Sequence, residues 1–344
     1  MILNFFKYII QYADILLYKN LHKKEDYTSD ILIFDTSLYS DNLGDKIINY
    51  YCNIVFKEIG VLPFARVSTH VRPTYREKKL LNRKSKKIIT GTNILSSQIN
   101  LRGLWKRPIW VKETANLCLM GNGWSTYSEY ENKFTKLFYK TMLSKTFIHS
   151  VRDTYTEKKL LSLGINNVIN TACPSMWKLT EEFCKSIPVN KASSVITTIT
   201  DYAPEPSSDW FLLDTLLRHY EKVYVWLQGK NDLDYLHSFS KFDSLICIDN
   251  NLESFNWILQ NESIDYVGTR LHAGIHALNY QKRSLIIAID NRAKELAKDT
   301  NLPVIERSQI REELEDKIKS NYVIKLKIPL TNIETWKNQF TNIK

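Results

Sequence analysis

IDYVGTRLHAGIHALNYQKRSLIIAID, residues 264–290, decides the fold class of this 344-residue chain. It opens on a buried-type strand ending at Gly268 and turns through Thr269 and Arg270. It continues as a helix over 271–280, in which Ala273, Gly274 and Ala277 permit close packing against a sheet. A second apolar run, SLIIAID (284–290), comes at once. Strand, helix and strand in so short a span form a parallel βαβ unit, which puts the chain in the α/β class.

The same phrase recurs outward in both directions. Upstream lie ILIFDT (31–36) with the helical GDKIINYYCNIVFKEIG, then KIITG (87–91), LCLMG (117–121) and TFIHS (146–150). The last leads into TYTEKKLLSLG, closed by Gly164 as a C-cap. After the polar stretch IPVNKASS come VITTIT (195–200), KVYVWL (222–227) and SLICI (244–248). A chain this long exceeds what one core fills, so the reading is two doubly wound domains with a cleft between them, spanning 28–187 and 188–330. Residues 331–344, with Ile333, Trp336 and Phe340 at helical spacing, form a tail expected to cross back onto the first domain.

Residues 1–27 hold an amphipathic helix. Phe6, Ile9, Ile10, Ala13, Leu16 and Leu17 share one face, with Asn4, Lys7, Gln11 and Asp14 opposite. Two placements fit it, docking on the protein's own surface or lying in a membrane interface, and the charged positions argue against a bilayer span. The formal charge of +10 attracts anions, whether phosphorylated substrates, acidic lipid or nucleic acid. RPTYREKKLLNRKSKK (72–87) concentrates eight Lys or Arg against one Glu, either as a solvated face or as a contact for anionic lipid. No nucleic-acid-binding module accompanies the charge, so nucleic acid is not expected as a partner. Five scattered cysteines with neither CxxC nor zinc spacing read as reduced thiols in a cytoplasmic protein.

Ligands of open parallel sheets bind beyond the carboxyl ends of the strands, so the loops leaving strands hold the candidates. YSDNLGDKIINY places Asp41, Asn42, Gly44 and Asp45 at a helix start suited to an anionic or hydroxyl-rich ligand, or to plain capping. HSVRD places Arg152 beside Asp153, as a carboxylate- or phosphate-binding fork or as a local ion pair. VGTRLHAG directs Arg270 and His272 into the cleft, a fixed cation beside a group that titrates near neutrality. His276 lies one turn beyond His272, yet HExxH and a third ligand are lacking, so no metal is expected.

NLGD (42–45), SVRD (150–153) succeeded by a helix and an LG turn, and TRLHAGIHAL (269–278) occur in that order, and the chain resembles the polysaccharide pyruvyl transferases from about Ile31 to Pro303. The resemblance implies a glycosyltransferase B-like fold of two Rossmann-like domains, with phosphoenolpyruvate held largely by the second. It matches Asn42, Gly44 and Asp45 to the first family motif and Arg152 and Asp153 to the second. Arg270, Leu271 and His272 match the donor-binding motif, and Lys294 matches a lysine often found after the next strand. Two positions depart from the family pattern, TGTN (90–93) for a glycine-rich turn and ACPSMW (172–177) for an aspartate-proline step.

The chemistry so implied is transfer of a pyruvyl group from phosphoenolpyruvate, a donor substrate, onto two hydroxyls of a sugar acceptor. The sugar would belong to a cell-surface or exopolysaccharide precursor, lipid-linked or free. Arg270 and Arg152 would meet the donor's anionic groups, His272 would act as general acid, and Asp45 would orient or deprotonate the acceptor. No cofactor is called for. The rivals are a glycosyltransferase with a nucleotide-sugar donor, for which Glu306 or Glu312 would hold the ribose, and a non-catalytic carbohydrate-binding relative.

Overall fold

The computed structural model describes residues 2–21, 28–101, 105–108, 110–128 and 130–341. The chain divides into two compact units, one of Met1–Ser40, Ile48–Pro174 and Pro329–Lys344, the other of Asp41–Ile47 and Ser175–Ile328. The division falls at Pro174, ahead of the polar stretch at 188–194. Segment 175–187 belongs to the second unit, and the Ser175 carbonyl accepts the Asn279 side-chain amide at 2.9 Å.

The first unit is built from helix α1 (Ile2–Leu21), strand β1 (Thr28–Asp35), α2 (Leu43–Glu58, whose residues up to Ile47 belong to the second unit), β2 (Ala65–Ser68), α3 (Tyr75–Leu81), β3 (Ser85–Thr90) and β4 (Leu117–Met120). It continues through α4 (Lys133–Met142), β5 (His149–Val151), α5 (Thr154–Ser162) and β6 (Val168–Asn170). Its four-stranded sheet runs β2-β1-β3-β4, all parallel, with the parallel β5–β6 pair bridged on through Asn122 and Val151. Ile31 to Phe34 are buried without a break, as expected of a strand covered on both faces. Asp153 caps α5 by accepting the Thr156 amide at 2.7 Å, and Gly164 lies just past the helix in the left-handed region at φ 78°.

The second unit holds α6 (Glu181–Cys184), β7 (Ser194–Thr197), α7 (Pro206–His219), β8 (Lys222–Trp226), α8 (Asp232–Leu236), β9 (Ile246–Ile248) and α9 (Leu252–Asn261). After these come β10 (Ile264–Gly268), α10 (Leu271–Asn279), β11 (Ser284–Ala288), α11 (Asn291–Thr300), β12 (Val304–Glu306) and α12 (Ile310–Lys319). All six strands are parallel in the order β12-β11-β10-β7-β8-β9. The chain lays down β7, β8 and β9 in one direction, then returns to place β10 on the other side of β7. That reversal leaves a crevice at the carboxyl ends of β7 and β10, where open α/β sheets take their ligands. Gly268 ends β10 where a Cβ would lie 2.6 Å from the Thr198 amide nitrogen, so only glycine lets the two strand ends approach so closely.

The C-terminal helix α13 (Leu330–Thr341) joins the first unit. Ile333, Trp336 and Phe340 form its buried stripe, and Trp336 Nε1 donates to the Leu119 carbonyl at 3.1 Å. Helix α1 also packs there, but through the face opposite to the apolar one. Gln11 and Ile15 are buried, Gln11 Oε1 accepts from Arg107 Nη2 at 2.9 Å, and Asp14 Oδ2 accepts the Val111 amide at 2.7 Å. Ile9, Ile10, Leu16 and Leu17 face outward. Sequence periodicity finds the apolar stripe but not the side that docks, where Ile15, Tyr12 and Tyr18 join the core beside the Gln11 and Asp14 contacts. The side chains of Asn4, Phe6 and Lys7, and residues 22–27, lie outside the described residues.

Candidate functional site

At the β7/β10 crevice the second unit has a pocket that opens to solvent. Arg270 and Leu271 enter its wall where β10 becomes α10, with His272 on the first turn. Asn42 and Gly44 come from the start of α2, Tyr202 from the loop after β7, Gln228 from the loop after β8, and Asp290 and Arg292 from the start of α11.

Arg270 is 4% exposed and almost fully committed. Its amide donates to Thr198 Oγ1 at 3.1 Å and its carbonyl accepts the Tyr266 hydroxyl at 2.8 Å. Nε donates to the Ile199 carbonyl at 3.2 Å, while Nη2 reaches Asp232 at 2.7 Å and Asp201 at 3.2 Å. The guanidinium lies 4.9 Å from the centroid of the Tyr202 ring. Among the described residues these bonds use Nε and Nη2 and none uses Nη1.

Asp232 is the hub of this arrangement. Its carboxylate accepts the amides of Asp201, Gln228 and Gly229 as well as Arg270 Nη2. Burial pushes its carboxyl up from the ordinary range, and Arg270 and the Gly229 and Asp201 amides pull it back. Gly229 belongs to the same clamp, because a Cβ there would fall 2.5 Å from Arg270 Nη2. Arg292, also on the lining, binds Asp290 and donates to the Tyr202 hydroxyl at 2.7 Å. Helix geometry leaves the first-turn amides of α10 without intrahelical acceptors, so they add partial positive charge beside Arg270.

Asn42 Oδ1 accepts from the Gly44 amide at 3.0 Å and from Gln228 Nε2 at 2.8 Å, which fixes the turn ahead of α2. Gln228 Oε1 is buried with no hydrogen-bond partner. Asp45 sits buried in the first turn of α2, next to Gly44 but off the pocket wall.

The remaining candidates lie elsewhere. Arg152 belongs to the first unit, beyond the end of β5, where it is 1% exposed and packs on Gly123. Its Nη2 donates to Asn93 Oδ1 at 2.5 Å, and Asp153 Oδ2 lies 3.4 Å from Nε. Nε and Nη1 make no hydrogen bond. Asn93 comes from the TGTN turn after β3, so that turn contributes directly to the surroundings of Arg152. Lys294 is not on the pocket wall. It is exposed on α11 and pairs with Glu306 at 2.5 Å, which also ties Glu306 to a surface pair.

His276 is packed: it is 1% exposed, holds Asn256 Oδ1 at 2.7 Å through Nε2, and burial lowers it to about 4. Among the described residues no group of three His, Cys, Asp or Glu is placed to hold a metal ion. All five cysteines are free thiols.

Sequence reasoning missed Asp201, Tyr202, Gln228, Asp232 and Arg292. The signal available was positional, since DYAP and LQGK come directly after the strands VITTIT and KVYVW. None of them carries a motif.

Fold and pocket together define an α/β protein of parallel, doubly wound sheets, with two guanidinium groups and a helix start at the carboxyl ends of its second sheet. The chain belongs to the polysaccharide pyruvyl transferase family, a family of transferases whose model matches residues 42–291, well over half the length. The resemblance carried by NLGD, SVRD and TRLHAGIHAL is thereby borne out. No curated protein matches the chain with significance. Among solved structures, S. aureus MnaA with UDP is 9% identical, with a TM-score of 0.46, over 91% of this chain and 97% of that one. UDP-GlcNAc 2-epimerase from Neisseria meningitidis bound to UDP-GlcNAc is 10% identical, with a TM-score of 0.43, over 91% and 94%.

Proposed function

We propose that the protein transfers the pyruvyl group of phosphoenolpyruvate to two hydroxyls of one sugar, forming a cyclic ketal on a cell-surface or exopolysaccharide precursor in the cytoplasm. The observation that carries this reading is the placing of Arg270 and His272 on one wall of one pocket, in a member of this family. The donor's carboxylate and phosphate would lie against Arg270 Nη1 and the first-turn amides of α10, where both charge and donor geometry suit an anion. Arg292 lines the same pocket.

His272 would deliver a proton to the methylene carbon, turning it into the methyl group and leaving the neighbouring carbon electron-poor. One sugar hydroxyl attacks that carbon and the phosphate departs with the electrons of its C–O bond. A second hydroxyl closes the ring. Of the two hydroxyl protons released, one replaces the proton spent on the methyl and the other leaves with phosphate or solvent. Gln228 Oε1, an unmet buried acceptor, is suited to a sugar hydroxyl, and Asn42 holds that amide in place. Arg152 would serve as an anion-binding group of the first unit, and Asp45 would support the Asn42–Gly44 turn.

The test is to incubate the protein with phosphoenolpyruvate and a panel of sugar acceptors, free and lipid-linked, and to read the products by mass spectrometry. The expected product carries one ketal-linked pyruvate, with one phosphate released for each. Sugar transfer from a nucleotide sugar, with no pyruvylated product across the panel, would contradict the proposal.

A further inference from the structure

We infer that the outward face of α1, with the basic surface beside it, seats the protein on the interface of an anionic phospholipid bilayer. This goes beyond the reaction and does not depend on it. Helix α1 is fixed in rotation by Gln11, Asp14 and Ile15, which anchor its other side to the first unit. That choice leaves Ile9, Ile10, Leu16 and Leu17 at 45%, 50%, 41% and 61% exposure along one stripe, with Ala13 exposed among them. A contiguous aliphatic stripe held toward water by specific polar contacts marks an interaction surface.

The surrounding charge identifies what covers it. The turn Val111–Glu113 packs against both α1 and α3, and Lys78 on α3, Lys112 on the turn and Asp14 on α1 all lie within electrostatic range of Glu113. Arg76 and Lys79 on α3, Lys112 on the turn and Lys19 at the end of α1 are exposed. Trp110, next to the residue that anchors Asp14, is 42% exposed. Aliphatic groups for the acyl boundary, a tryptophan for the headgroup level and cations for phosphate are the combination an anionic bilayer surface selects. A second copy of this chain would bring the same cations together. Among the described residues no helix is long and apolar enough to cross a membrane, so α1 would lie along the surface.

Co-sedimentation of the full chain with phosphatidylcholine vesicles, with and without one part in three phosphatidylglycerol, tests the inference. The expected result is pelleting with the anionic vesicles alone, weakened by salt. Ile10→Glu with Leu17→Glu should abolish it, and Arg76→Glu with Lys79→Glu should weaken it roughly fivefold or more for each cation removed. Circular dichroism checks that each variant is folded. No pelleting of the wild type, or wild-type pelleting by the I10E/L17E variant, overturns the inference. So does a wild-type dimer in light scattering that I10E/L17E dissolves while vesicle binding is absent, which would assign the stripe to a second copy.

Discussion

Arg270 and Arg152 occupy equivalent stations in the two units, each just beyond a parallel strand and just ahead of a helix, and each almost wholly buried. Their surroundings differ. Arg270 meets two carboxylates, a backbone carbonyl and a tyrosine ring, with one nitrogen spared. Arg152 has one side-chain amide, a carboxylate at 3.4 Å that is already occupied capping α5, and two nitrogens without acceptors. A strand end fixes where an arginine goes, but the neighbouring strand ends decide whether its charge is already answered. Each buried donor left unmet costs about 1–3 kcal/mol, so Arg152 is held at a cost that its own neighbours do not offset.

Substitutions separate the two settings, starting with the largest effect. His272→Ala removes the proposed proton donor and leaves Arg270 in place. We expect kcat to fall on the order of 10²–10⁴-fold with phosphoenolpyruvate affinity nearly unchanged, read by steady-state kinetics and direct titration. Unchanged turnover would remove His272 from the mechanism. Next, Arg152→Met replaces an underpaired buried cation by a side chain of similar reach. Thermal unfolding should shift little or upward, because losing unmet donors offsets the lost ion pair, whereas the activity should drop about tenfold or more. A large loss of stability with activity retained would make Arg152 structural.

A third contrast lies between His149 in the first unit and His276 in the second, both lowered to about 4 by burial. Both enter the fold uncharged, while the unfolded chain takes up protons near pH 6.5. Their contribution is therefore complete above about pH 6.5 and is lost as the pH falls toward about 4, at up to about 1.4 kcal/mol per pH unit for each histidine. Urea unfolding at pH values across that window should show the slope, and His276→Gln should reduce it. An unaltered slope in that variant would exclude His276 as a cause. The smallest effect belongs to Lys294→Ala, which breaks an exposed pair with Glu306. Stability should change by less than about 1 kcal/mol and kcat/KM should stay near the wild-type value. A loss of phosphoenolpyruvate affinity there would bring Lys294 back into the site.

The elements legible in the sequence were those whose signal is local. The βαβ phrase at 264–290, the stripe of α13 and the capping role of Asp153 all derive from periodicity and neighbouring residue types. The features that could not be read depend on long-range adjacency. Asp232 reaches Arg270 only because β8 lies beside β7 and β10 returns to the other flank of β7, and no spacing along the chain encodes that order. Helix α1 shows the same limit, since its docking face is chosen by Arg107 and the Val111 amide, about a hundred residues away in sequence. Lys294 falls on the expected helix but points to Glu306, a partner supplied by β12.

The most direct measurement is calorimetric titration of phosphoenolpyruvate into the wild type and into Arg270→Ala, with Asp232→Asn as a companion that loosens the clamp but keeps the cation. One donor should bind per wild-type chain, with affinity lost in R270A and partly retained in D232N. If folded R270A binds phosphoenolpyruvate as the wild type does, the donor is not held in this pocket.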